Sequence, residues 1–135
     1  MVVLLMSCNE DKDNCHKYIT IVNNSSSVIY SQESYSYPDS LSFANTFPNP
    51  NLAVNDHVVQ AGSLSNRAVS LSGRNCINYY MSSPDICPSE IVMVYIFDAD
   101  SLAAKPWSND PNLVLKRYDL TIDDLNAINW TITYA

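Results

Sequence analysis

Four cysteines, two histidines and a few paired carboxylates are the side chains of this chain best suited to chemistry. Asp98 with Asp100, and Asp123 with Asp124, could be read as glycosidase acids. That reaction needs carboxylates about 5 to 9 Å apart on opposite sides of a sugar, and neighbours on one segment do not straddle a substrate. They read more simply as a strand-end turn and a helix N-terminus. Asp98-x-Asp100 with Asn109 and Asp110 lacks the alternating ligands and central glycine of a calcium loop. His16 and His57 accompany no Gly-x-Ser-x-Gly turn. A zinc site from Cys15, His16, Cys76 and Cys87 would lack the usual Cys-x-x-Cys spacing. The expectation is a protein with no catalytic residues, no metal and no cofactor, and so not an enzyme.

Aromatic residues offer a different chemistry. Tyr35, Tyr37, Tyr79, Tyr80 and Trp107 fall at strand ends or in loops, where flat rings can stack on a sugar or anchor a partner protein. Their alternative role is cross-strand packing. Seven basic against fourteen acidic residues, net charge −7, exclude a nucleic-acid partner held by phosphate neutralisation.

The elements that must position these residues are mostly strands. With 135 residues, 47% of them hydrophobic and 16% charged, the chain is long enough for one core. Only two glycines are present, so turns rely on Asn, Ser, Asp and seven prolines. Tyr18–Val22 and Val28–Tyr37, separated by Asn23-Asn24-Ser25-Ser26-Ser27, read as a first hairpin. Residues 38–53 form a long irregular connection. Short strands are expected over Val54–Gln60 and Ala68–Ser72, and a helical turn or loop over 75–83. The unbroken apolar run Ile91–Phe97 predicts a central strand covered on both faces. Leu113–Tyr118 alternates, placing Leu113, Leu115 and Arg117 on one face. Thr121 and Asp124 predict a capping box for a short helix, and a closing strand from Asn129 places Trp130, Ile132 and Tyr134 on one face. The fold class is mainly β: an antiparallel two-layer β-sandwich with one short helix near the C-terminus.

The start of the chain carries a separate signal. Residues 1–7 read as a truncated lipoprotein signal segment, apolar but too short to span about 30 Å of hydrocarbon. Leu5-Met6-Ser7-Cys8 resembles the bacterial lipobox, which makes Cys8 the lipidation site and attaches the protein to a membrane through an N-terminal lipid. Residues 8–16 are an acidic tether, similar to the surface-export signal of Bacteroidetes lipoproteins, and residues 17–135 are a single β-rich domain. With Cys8 acylated, three thiols remain and at most one internal disulfide forms. A Cys76–Cys87 bond is worth about 3 kcal/mol of loop entropy and a Cys15–Cys76 bond about 4, so loop entropy does not choose between them.

Tyr95-Ile96-Phe97-Asp98-Ala99, Pro106-Trp107, the run from Leu115 to Leu125 and Asn129-Trp130-Thr131-Ile132-Thr133-Tyr134 together resemble a family of small uncharacterised lipoproteins of gut Bacteroidetes. Cys15-His16, Ile19, Ile21, Asn24 and Tyr37-Pro38-Asp39 match as well, whereas Ala135 stands where members usually have Pro. The resemblance brings no activity with it. It implies an outer-membrane lipoprotein, periplasm-facing or on the cell surface, and a disulfide between Cys15 and Cys76 that leaves Cys87 as the odd thiol. The functional expectation is a binding or interaction domain for a protein or a glycan, with a structural subunit of a fimbria-like surface assembly as the alternative.

Overall fold

The computed structural model describes residues 15–38, 56–71, 75–104 and 113–135. Cys8 with its lipobox, most of the tether, most of the 38–53 connection, Trp107, Asn109 and Asp110 lie outside the described residues. In chain order the elements are β1 (Tyr18–Asn23), β2 (Ile29–Ser34), β3 (Val58–Val59), β4 (Leu64–Ser70), α1 (Ile77–Ser82), β5 (Val92–Asp98), α2 (Ala99–Ala104), β6 (Val114–Leu120), α3 (Ile122–Ala127) and β7 (Thr131–Tyr134). The described strands form two sheets, ordered β4-β1-β7 and β3-β2-β5-β6. The fold is thus mainly β in two sheets, as expected. It carries three short helices rather than one among the described residues. None of these helices is long and apolar enough to cross a membrane.

Strand β5 sits between β2 and β6 and is buried from Val92 to Phe97. The two-residue period of a strand divides its side chains. Val92, Val94 and Ile96 enter the core between the sheets, which also takes Ile19 and Ile21 of β1, Val69 of β4 and Ile132 of β7. Met93, Tyr95 and Phe97 point the other way, where Ala99 and Leu102 of α2 cover them. An unbroken apolar run is what burial on both faces requires.

The regular alternation expected for Leu113–Tyr118 is broken. Ile96 pairs with Lys116 and Phe97 with Val114, so Leu115 is an extra residue in β6. The bulge turns Val114 toward the α2 side, while Tyr118 packs against the core between the sheets.

The expected first hairpin does not form, because β1 and β2 belong to different sheets. Asn23 explains how the chain crosses between them. Its buried side-chain amide donates to the carbonyls of Ser27 at 2.8 Å and Val59 at 3.1 Å, while its Oδ1 accepts from the Ser25 N–H and hydroxyl. These bonds curl the Asn-Ser linker onto the loop after β3 and carry it away from β1. In place of β2, β1 takes β4 as an antiparallel neighbour and β7 as a parallel one, with Ile21 opposite Ile132. The sandwich is therefore mixed, not wholly antiparallel. His57 ties the sheets together: its Nδ1 lies 2.9 Å from the Ser31 carbonyl of β2 and 2.8 Å from the Ala68 carbonyl of β4. Carbonyls only accept, so this nitrogen carries a hydrogen shared between them.

The capping box of α3 is present as read. Thr121 Oγ1 accepts from the Asp124 N–H at 3.2 Å, and Asp124 Oδ2 accepts from the Thr121 N–H at 3.0 Å. The second of these bonds holds the Asp124 carboxyl below its usual range. At the other end, Trp130 N–H bonds the Leu125 carbonyl and Asn129 N–H the Asn126 carbonyl, which is a Schellman motif. Asn129 takes the left-handed conformation the motif requires, at φ 58°, and Trp130 follows at φ 55°. The closing strand therefore begins at Thr131, two residues later than expected. Thr121→Ala removes one half of the box and is expected to lower stability by about 1 kcal/mol in urea denaturation. An unchanged midpoint would show that α3 is held by packing alone.

Candidate functional site

The chain immediately before β1 is pinned to α1. Cys15 and Cys76, 61 positions apart in sequence, form a disulfide with Cα atoms 5.2 Å apart, and Cys87 is a free, buried thiol. The two bonded cysteines offer no thiolate, so the four-residue zinc set cannot assemble. His16 follows the bridge. Its backbone N–H donates to Asn78 Oδ1 at 2.7 Å, its carbonyl accepts from the Ile77 N–H at 2.7 Å, and its Nδ1 lies 3.3 Å from the same Asn78 oxygen. So held, the imidazole lies flat on Trp130, ring centroids 3.8 Å apart and planes 5° from parallel. Trp130 is fixed from behind by Nε1 donating to Asn126 Oδ1 at 2.9 Å.

Outside this stack is an open recess of about 390 Å³, walled by His16, Lys17, Tyr18, Thr20, Asn129 and Trp130. Asn78 links it to a second hollow of about 270 Å³ lined by Asn78, Tyr79, Ser82 and Ile122. Ser82 and Ile122 in turn border a third, of about 490 Å³, floored by Met81, Ile91 and Ile122 and bounded by Glu90 and Asp123. The second and third hollows adjoin through Ser82 and Ile122 and make one tract across α1 and α3, which the hydrogen bonds of Asn78 to His16 tie to the recess. Tyr79, 70% exposed, stands on it. Backbone bonds, a disulfide and a ring stack brace the walls of the recess, so a ligand finds that surface already ordered.

The other expected binding aromatics do not join Tyr79. Tyr35 and Tyr80 meet edge to face at 5.5 Å, and Tyr35 packs against the core between the sheets. Tyr37 packs on the opposite side of the four-stranded sheet, with the α2 cluster. Asp98 accepts from the Ser101 N–H at 2.9 Å and starts α2, and Asp123 and Asp124 occupy the first turn of α3. No group of three or more metal-ligating side chains occurs among the described residues. Sequence reasoning missed the roles of His16, Lys17, Asn78 and Glu90. The readable signal was a helix followed by Asn129-Trp130 with no glycine, which makes a left-handed turn put a large ring where a chain end can stack on it.

A second cluster lies inside the domain. Ser31 and Glu33 on β2 and Tyr35 just beyond it recur at two-residue intervals, and Ser31 Oγ, Glu33 Oε2 and Tyr35 Oη are buried without a hydrogen-bond partner. Burial pushes the Glu33 carboxyl from its ordinary 4.5 up to about 7, only partly offset by a backbone hydrogen bond. Burial, and then the neighbouring Glu33 and Cys87, raise the Tyr35 phenol far above its usual range. Burial likewise raises the Cys87 thiol, which keeps it protonated and unreactive.

Two outcomes follow. Replacing Cys15 and Cys76 by serine should lower urea stability by about 4 kcal/mol, the loop-entropy value, and broaden the indole signal of Trp130 as His16 loosens. An unchanged midpoint would show that the bridge constrains neither fold nor recess. For Glu33, the folded domain binds its proton more tightly than the unfolded chain, so stability is greatest at low pH and falls as pH rises from 4.5 through about 7. The fall should approach about 3 kcal/mol. Glu33→Gln should flatten it, and a wild-type profile flat across this window would show that the carboxyl is not held neutral. No protein-family model, curated protein or solved structure matches the chain.

Proposed function

We propose that the chain is a cell-envelope lipoprotein, of the kind seen in gut Bacteroidetes, whose domain binds a protein or a glycan through the α1–α3 tract and turns over no substrate. The observation that carries this reading is the braced recess at His16 and Trp130, tied through the Asn78–His16 hydrogen bonds to the hollow on which the exposed ring of Tyr79 stands. An open, half-polar surface of this kind offers hydrogen-bonding groups beside flat rings, which suits a sugar or a polar protein segment. The lipobox-like Leu5-Met6-Ser7-Cys8 supports the envelope address, with lipid on Cys8 as the anchor to the outer membrane, facing the periplasm or the cell surface.

A second reading, as a subunit of a fimbria-like assembly, is favoured by β7. It is an outer strand of its sheet, and its Thr131-Ile132-Thr133-Tyr134 carries no charge, whereas the outer strand β6 carries Lys116, Arg117 and Asp119. Charge guards an edge against strand addition, and β7 lacks that guard.

Metabolic labelling with a fatty-acid analogue should mark the parent and not Cys8→Ala, and equal labelling would overturn the anchor. The full chain applied to glycan and peptide arrays should bind a ligand that Tyr79→Ala weakens about tenfold, a modest hot-spot loss. Ligands bound equally well by Tyr79→Ala would overturn the tract as the site. Concentration-dependent self-association abolished by a charge in β7, Thr133→Lys, would favour the assembly reading instead, and a strict monomer would exclude it.

A further inference from the structure

The third hollow of the tract has a composition of its own. Met81 on α1, Ile91 before β5 and Ile122 at the start of α3 give it an apolar floor, and the hydroxyl-bearing Ser82, Ser89 and Thr121 share its lining. Met81 is fully buried, and Ile91 and Ile122 are half-buried, so the floor is firm and only partly covered. Two exposed carboxylates, Glu90 and Asp123, stand at its rim, and none of its lining residues is basic. No ion pair among the described residues involves either carboxylate; those present join Arg67 to Asp56 and Arg117 to Asp119. Glu90 stands at φ 61°, a left-handed conformation unusual for its type, and its N–H is tied to the Cys87 carbonyl at 3.1 Å, so its place on the rim is set by the backbone.

An apolar floor between two uncompensated negative charges is complementary to an apolar side chain flanked by positive ones. The geometry points to a docking site for a basic peptide segment of a partner protein: one aliphatic side chain seated on Met81, Ile91 and Ile122, with lysine or arginine side chains on either side facing Glu90 and Asp123. This rests on the reading of the tract as a binding surface and names the partner class for one part of it. The chain's overall charge of −7 favours the approach of such a partner. The rim charges then set its register, and the floor selects the middle side chain.

The probe is a blocked Lys-Lys-Leu-Lys-Lys peptide titrated into the nitrogen-15-labelled full chain, with Lys-Lys-Ala-Lys-Lys and Glu-Glu-Leu-Glu-Glu as counterparts. Expected are amide shifts concentrated at Ser82, Glu90, Ile91, Ile122 and Asp123, weaker binding of the alanine peptide and no binding of the acidic one. Glu90→Gln with Asp123→Asn should weaken the leucine peptide about fivefold, the worth of two exposed pairs. Asp56→Asn with Asp100→Asn removes the same charge elsewhere and should leave binding unchanged. Equal losses in the two double variants would reduce the attraction to net charge and overturn the site, as would an alanine peptide that binds as well as the leucine one. Shifts confined to His16, Tyr18 and Trp130 would overturn this inference and leave the recess as the binding surface. Absence of binding would overturn it as well, while the array result with Tyr79→Ala decides the broader reading independently.

Discussion

Trp130 is the residue on which this arrangement turns. A tryptophan in left-handed backbone is rare, and the conformation costs about 1 to 2 kcal/mol for an ordinary residue. Burying an indole of 150 to 250 Å² returns about 4 to 6 kcal/mol at the usual area coefficient, so burial wins. Asn129, whose type tolerates left-handed backbone, supplies the first half of the turn. Because the turn swings the chain back toward β1, the Trp130 carbonyl accepts from the Thr20 N–H at 2.9 Å, and β7 then runs parallel to β1.

The same ring forms the floor on which His16 lies, so the fold and the candidate site share one contact. Without the Cys15–Cys76 bridge and the bonds to Asn78 and Ile77, His16 would belong to a loose chain end with many competing conformations. With them, the recess wall is set before any ligand arrives. Ordering those groups is part of the free energy of folding, and a ligand is spared it.

The core presents the opposite situation. β5 satisfies both of its apolar surroundings, yet its neighbour β2 and the residue that follows it turn Ser31, Glu33 and Tyr35 toward a region that is otherwise aliphatic and aromatic. Each buried polar atom without a partner costs free energy. Glu33 limits that cost by keeping its proton, since a neutral carboxyl is far less expensive to bury than a charged one. The domain therefore carries a pH-dependent weak point beside its best-packed strand.

Local rules were enough for part of this molecule. Ile91–Phe97 announces a strand buried on both faces because an apolar run longer than a turn has no exposed side to offer, and Thr121 with Asp124 announces a helix start because a capping box closes within three residues. The β class follows from composition in the same way. Tertiary structure alone decided the neighbours. Ile19, Ile21 and Ile132 carry an alternation compatible with many partners, and only the path imposed by Asn23 and by the Asn129-Trp130 turn placed β1 beside β7 instead of β2. The bulge at Leu115, the burial of Glu33 and the stack of His16 on Trp130 are of the same kind. Each depends on which distant segment fills the adjoining space, and that contact appears only when long loops close, at an entropy cost that no local pattern encodes.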